Sequence, residues 1–164
     1  MSRASVWSNS DGLAVGFGPR TETKSGSARH AEGGPVEKLV LRFRGEDLAD
    51  AVSATSDQIV YAPVIPNGAT IVKATLKVIE AFVGVSAVLD LGVYDKDGTI
   101  VDDDGIDAAI ATATLVLGAV ITCDGADIAT AVATTGGVKI AASYDTAAFT
   151  AGEAILEVEY AIPQ

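Results

Sequence analysis

The chain has 164 residues and a formal net charge of −11, a length that suits one domain with a hydrophobic core of its own. No apolar run approaches the ~20 residues that span a bilayer, and the first residues lack the apolar segment of a secretory signal, so neither a membrane location nor export is expected. The acidic balance argues against nucleic-acid binding, because phosphate contacts need a basic surface.

Residues 1–35 are predicted to form an extended N-terminal arm, and residues 36–164 a folded domain. The arm is rich in Ser, Gly and Thr and has no sustained hydrophobic period. It nevertheless contains apolar residues, three of which alternate as in a short strand. We expect the arm to lie on a partner subunit and to bind it through Trp7, Leu13, Val15, Phe17 and Arg20.

The folded domain begins with a predicted strand over residues 36–44, in which apolar and basic residues alternate and which Gly45 ends. Residues 46–58 are consistent with either one helical turn or a loop. A short strand is predicted at residues 59–61, followed by a turn at residues 66–68, where Pro, Asn and Gly occur together.

The central stretch, residues 69–95, predicts two strands with a turn near Gly84. In the first strand Val72, Ala74, Leu76, Val78 and Phe82 are expected on the buried face. Lysines 73 and 77 are expected on the other face. A helix is the alternative, but a period of 3.6 residues does not bring the lysines together, and the composition favours strands.

A hairpin is predicted next, with Asp and Gly of residues 95–98 in its turn. The spacing of Ile106, Ala109 and Ile110 predicts a short helix that runs to about Thr112, with Asp104 as its N-cap. Further strands are predicted at residues 119–123, 128–133, 138–144 and 153–162. About eight short strands and one brief helix indicate an all-β fold, an antiparallel β-sandwich or jelly roll.

An acidic cluster follows the second central strand and invites two interpretations. Closely spaced carboxylates could bind calcium, because hard cations take oxygen ligands. The spacing departs from an EF-hand loop, in which glycine stands sixth and Glu twelfth. The alternative is two turns and a helix cap with solvated charges, and a glycosidase pair would need a cleft that nothing else in the sequence predicts. The cluster consists of Asp95, Asp97, Asp102, Asp103, Asp104 and Asp107.

No catalytic constellation is found in the sequence, so we expect no enzymatic activity and no cofactor. The lone Cys123 is interpreted as a small buried hydrophobe, since the only histidine, His30, lies far away along the chain. Lys38, Arg42 and Arg44 share one strand face and could bind an anion. We favour pairing with acids on a neighbouring strand or subunit.

Four segments together resemble small virion structural proteins of tailed phages, particularly podoviruses and cyanophages. They are WSNSDGLAVGFG (residues 7–18), VIPNGATIVKATLKVIEAF (64–82), LGVYDKDGTIVDDDGIDAAIA (91–111) and SYDTAAFTAGEAILEVEY (143–160). The resemblance implies a head decoration (cement) protein, which sits on the outer surface of the shell and bridges neighbouring major capsid protein subunits. It also implies a homo-oligomer, with a trimer as the expected form, and carries over no functional residues.

Charge is distributed as this interpretation requires. Residues 1–44 contain seven basic and four acidic residues, whereas the remainder contains four basic and 18 acidic residues. A basic leader would lie on the capsid while the acidic body faces solvent. The alternative is a head- or tail-fibre module that recognises host glycans through exposed tyrosines and, in one version, calcium. An enzyme would require a concave pocket that holds two carboxylates with raised pKa values.

Overall fold

The computed structural model describes the backbone of residues 6–8, 14–16, 36–50 and 57–162. The first two segments form a small unit of their own, in which β1 (Val6–Ser8) pairs antiparallel with β2 (Ala14–Gly16). The short strand predicted in the arm is therefore present. The boundary between an arm and a domain at residue 35 stays a prediction.

The remaining strands form two antiparallel sheets. The four-stranded sheet has the order β3-β9-β4-β7, and its strands are Val36–Arg44, Ala151–Ala161, Thr70–Val83 and Val120–Thr122. The three-stranded sheet has the order β6-β5-β8, and its strands are Ile100–Ala111, Val88–Asp95 and Val138–Asp145. The two strands of the central stretch, β4 and β5, therefore belong to different sheets.

One continuous hydrophobic core lies between the two sheets, as the alternating pattern predicts. Each sheet supplies every second residue, and Leu76, Leu156, Leu89 and Leu91 are fully buried. The predicted inward face of the last strand is confirmed, with only Ile162 at its end partly exposed. The all-β sandwich predicted from the sequence is thus confirmed.

The inward face of β4 differs from the prediction at its start. Ile71 is buried, whereas Val72 is 48% exposed. The cause is a register shift against β9 between Ile71 and Lys73, because one extra residue in a strand moves every side chain before it to the opposite face. From Ala74 onward the predicted alternation holds.

The predicted helix from Ile106 to Thr112 is wrong. These residues belong to β6, which ends at Ala111, and a single 3₁₀ turn follows at Thr112–Thr114. The helix-like spacing of the two buried isoleucines arises because β6 is bulged against β5, so its side chains do not keep a period of two.

The α-helix of the described residues is α1, Asp57–Tyr61, where the sequence predicted a short strand after a turn or loop. A 3₁₀ turn at Gly45–Asp47 occupies part of the preceding segment. Ile59 of α1 is buried together with Tyr94 of β5 and Ala141 of β8. The helix thus covers the outer face of the three-stranded sheet, and burial against that sheet outweighs the strand propensity of three residues.

The strand predicted at residues 128–133 is also absent, although a strand at Val120–Thr122 is confirmed. Residues 126–129 form a turn in which Ala129 has a φ of 63°, and Ala131 makes one isolated bridge to Thr70. No helix in the described part of the chain is long and apolar enough to cross a membrane.

Candidate functional site

The arm residues predicted to bind a partner fall largely outside the described part of the chain. The backbones of Trp7 and Val15 are opposite each other in the register of the β1–β2 pair. Leu13, Phe17 and Arg20 lie outside the described residues. The role of the arm as an anchor therefore stays a prediction.

The outer face of the four-stranded sheet is organised around the glutamates of β9. The carboxylate of Glu157 accepts salt bridges from Lys38 of β3 at 2.8 Å and from Lys77 of β4 at 2.7 Å. Glu153 pairs with Arg42 of β3. This arrangement follows from the register, which places basic residues of two strands on either side of an acidic one.

These contacts hold the pKa of both glutamates below the ordinary value, chiefly through the hydrogen bonds that the basic side chains donate. The prediction that Lys38 and Arg42 pair with acids of a neighbouring strand is confirmed. Arg44 approaches Glu46 at 4.0 Å and remains 59% exposed. Its salt bridge is the longest of those made by the basic residues of β3.

A groove runs beside β3, which is an edge strand of its sheet. Its volume is about 600 Å³, and it lies between β3 and the segment that contains α1. Tyr61 at the end of α1 is 80% exposed, whereas Tyr94 and Tyr160 are buried and Tyr144 is half-buried. The tyrosines thus form no exposed patch of the kind that a glycan site requires. The groove is lined by Val40, Leu41, Arg42, Phe43, Arg44, Asp47, Gln58, Tyr61, Ala62 and Pro63.

The three-stranded sheet carries the opposite charge. From Asp90 to Asp145 the chain contains ten aspartates and two lysines. The densest part is residues 102–107 of β6, which we call the acidic bulge. In the register of β5 and β6, Val93 faces Asp102 but Leu91 faces Asp107, so the intervening residues of β6 arch over Gly92. A Cβ at Gly92 would overlap the backbone carbonyl of Asp103, which shows how closely the bulge approaches β5.

The acidic cluster of the sequence divides into a structural part and a surface part. Oδ1 of Asp95 accepts hydrogen bonds from the backbone N–H groups of Asp97 and Thr99, both at 2.8 Å, and Gly98 has a φ of 88°. The bond from Thr99 is the main cause that lowers the pKa of Asp95. This carboxylate therefore closes the β5–β6 turn, as the non-metal interpretation requires.

In the acidic bulge, oxygens of Asp102, Asp103 and Asp104 all lie within 4.8 Å of one another. The pKa of Asp104 is raised, first by a side-chain hydrogen bond with Asp102 and also by neighbouring like charges. Carboxylates in such an arrangement fit the oxygen-ligand chemistry of calcium. They also fit a cationic side chain of a partner, which would relieve the same repulsion.

A concave pocket of about 300 Å³ beside the bulge brings together carboxylates from three strands. Asp90 of β5 has a raised pKa because it is partly buried, although its Oδ1 accepts a hydrogen bond from the Ala109 N–H at 2.7 Å. Asp90 and Asp104 are thus two carboxylates with raised pKa values in one pocket, which is the condition named above for an enzyme. The main cause is burial for Asp90, and for Asp104 it is the hydrogen bond with Asp102, with like charges adding to both shifts.

Cys123 is buried beside Asp107, and burial raises the pKa of its thiol to about 12. A thiol with this pKa is protonated at neutral pH and is a poor nucleophile. The interpretation of Cys123 as a small buried hydrophobe is confirmed. His30 lies outside the described residues.

No protein-family model matches the chain, and no curated protein sequence matches it. Its fold is similar to that of a chain in the cyanophage Pam1 capsid asymmetric unit, with a TM-score of 0.52 and 16% identity, over 88% of this chain and 99% of that chain. Chains of the acidic stable capsid of Helicobacter pylori bacteriophage KHP30 (TM-score 0.47, 16% identity, 79% and 89% covered) and of the capsid of Ralstonia phage GP4 (0.41, 19%, 86% and 92%) also match. The likeness to the Pam1 chain shows a shared fold.

Proposed function

We propose that this protein is a non-enzymatic structural component of a tailed-phage virion, a head decoration (cement) protein that binds the outer surface of the shell. The observation that carries the proposal is the fold it shares with a chain of the cyanophage Pam1 capsid asymmetric unit, a likeness that extends over 99% of that chain. The likeness agrees with the resemblance seen in the sequence.

The charge distribution supports a directed attachment. Residues 1–44 carry the excess of basic residues, and the stretch from Asp90 to Asp145 carries ten aspartates against two lysines. In the proposed arrangement the arm binds neighbouring major capsid protein subunits through Trp7, Leu13, Val15, Phe17 and Arg20, while the three-stranded sheet faces solvent. Many weak contacts repeated over a shell add up through avidity and stabilise it against internal pressure.

The experiment measures binding of the purified full-length chain to expanded, undecorated heads of the parent phage. Three variants are compared: the full chain, a chain lacking residues 1–35, and a full-length chain with Trp7→Ala and Phe17→Ala. A Val85→Ala/Leu117→Ala variant is the matched control, because it removes two exposed apolar residues of the sandwich rather than of the arm.

Saturable binding that both arm variants lose and the control keeps would support the proposal and the anchor. Binding that survives both arm changes would transfer the anchor to the sandwich. Absence of binding to heads, together with binding to host cells or glycans, would reject the decoration function in favour of a fibre module.

A further inference from the structure

Strand β3 presents a long edge that its own sheet leaves open. It pairs with β9 in continuous register from Val36 to Arg44, and within the described segments no backbone hydrogen bond reaches its other edge. Val36 and Val40 are 51% and 54% exposed. An open edge of nine residues is a template for an added strand unless a partner covers it.

The groove beside this edge fits an extended segment with acidic side chains. Its apolar part comes from Val40 and from the exposed ring of Tyr61. Its charged part comes from Asp47 and from Arg42 and Arg44, whose side chains remain 62% and 59% exposed despite their contacts with glutamates. We call β3 together with this groove the basic edge.

The chain itself contains a segment that matches the basic edge. β6 is an edge strand of the other sheet, and its first residues, Ile100 and Val101, are 44% and 48% exposed. They lead into the three clustered aspartates, and within the described segments no basic side chain forms a salt bridge with any of these three. The outer backbone edge of residues 100–103 is likewise unpaired there, the Asp104 N–H donates to Asp102 Oδ1 at 3.4 Å, and the carbonyls of residues 105 and 106 accept from Asp127 and Gly125.

We propose that the basic edge of one copy binds residues 100–104 of β6 of a second copy by strand addition. Parallel pairing can place Val40 beside Ile100 and bring Arg42 and Arg44 to the carboxylates of Asp102–Asp104, whose oxygens lie within 4.8 Å of one another. The crowded carboxylates gain cationic partners, and Val40 and Ile100, each about half-exposed, are buried together.

The two surfaces differ, so the contact is heterologous and repeats from copy to copy until a ring closes. The inference rests on the proposed function and deepens it, because it names the contact between decoration subunits.

Sedimentation velocity of the full-length chain, without capsids, tests the proposal. Wild type is expected to form an oligomer that weakens with salt. Arg42→Glu/Arg44→Glu and, separately, Asp102→Lys/Asp104→Lys are each expected to weaken association by ~100-fold or more, because like charges then face each other. The four substitutions in one chain restore opposite charges and are expected to restore the oligomer. An equimolar mixture of the two double variants is expected to reassociate as well.

The matched control is Lys73→Glu/Lys77→Glu, which makes the same charge change on the same sheet face but on the interior strand β4. It is expected to keep the oligomer, and circular dichroism verifies that each variant is folded. A monomeric wild type, double variants that assemble like wild type, or a folded quadruple variant that stays monomeric would each overturn the proposal.

Binding to heads is measured on the same variants, so the two proposals fail separately. If the variants assemble or dissociate as their charges predict but none of the chains binds heads, the decoration function alone is rejected. Chains that bind heads while wild type remains monomeric would reject the strand-addition contact alone.

Discussion

Replacing Gly92 by Ala tests the closest backbone approach in the three-stranded sheet. The new Cβ would overlap the carbonyl of Asp103 and would lie 2.6 Å from the carbonyl oxygen of Asp102, where real Cβ contacts stay beyond 3.0 Å. The obstacle is backbone held by pairing on both sides of the bulge, so it cannot rotate away. The strands must separate, and the hydrogen bonds that flank the bulge must lengthen.

Overpacking of this kind costs up to ~3 kcal/mol, and the lower entropy of the unfolded Ala chain offsets about 0.4–1 kcal/mol. A net loss of about 2 kcal/mol in the free energy of unfolding is therefore expected, or a decrease in Tm of roughly 4–8 °C for a chain of this length. Urea denaturation and thermal melting, both followed by circular dichroism, measure the two quantities.

Gly105→Ala is the matched control, because it lies in the same bulge and its Cβ would meet the end of the Asp127 side chain, with Cγ at 3.0 Å. A carboxylate on a rotatable side chain can move aside, so less than about 1 kcal/mol is expected. The reasoning is refuted if Gly92→Ala is as stable as wild type, or if the two substitutions cost the same.

Three further outcomes are expected. Leu156→Ala, at a fully buried site, should lower the free energy of unfolding by about 2–5 kcal/mol in urea titrations, whereas Val85→Ala at an exposed site should change it by less than about 0.5 kcal/mol. Stability should rise as pH falls from neutral towards mildly acidic values. Carboxyls with a raised folded pKa, such as Asp90 and Asp104, bind protons more readily folded than unfolded. Stability should fall again below pH 4.5, the ordinary pKa of a glutamate, where the paired β9 glutamates become protonated. A Tm that decreases steadily from pH 7 to pH 5 would contradict this. Cys123 should resist a thiol reagent at pH 8 in the native protein and react once urea unfolds it; rapid native labelling would show that the site opens.

Periodicity was a reliable guide where a strand is regular and has one wet face. In β3 and β9 the charged residues of the outer face alternate with apolar inward residues except at Val40 and Ile155, and the predicted inward residues are buried or partly buried. The pairing of Lys38 and Arg42 with acids of a neighbouring strand also followed from the pattern, because a two-residue period places like types on one face. Which acidic residue each basic residue contacts depends on the register of β3 against β9, and only the tertiary structure shows that register.

Irregular strands misled the same reasoning. A bulge adds one residue and reverses the faces on one side of it, so Ile71 took the position expected for Val72. In β6 the larger bulge made Ile106 and Ile110 look like one face of a helix. No local signal marks these places, since the bulges exist through pairing with β9, which is distant in sequence from β4, and with β5, the hairpin partner of β6.

The sequence by itself determined the fold class, the alternating core positions, the β5–β6 turn and the separation of basic from acidic regions. Each of these depends on neighbours within a few residues or on composition. The tertiary structure alone decided which strands share a sheet, where the one described α-helix packs, and that a basic and an acidic strand lie at open edges of different sheets. Those features arise from contacts between residues far apart along the chain, whose energies no local pattern encodes.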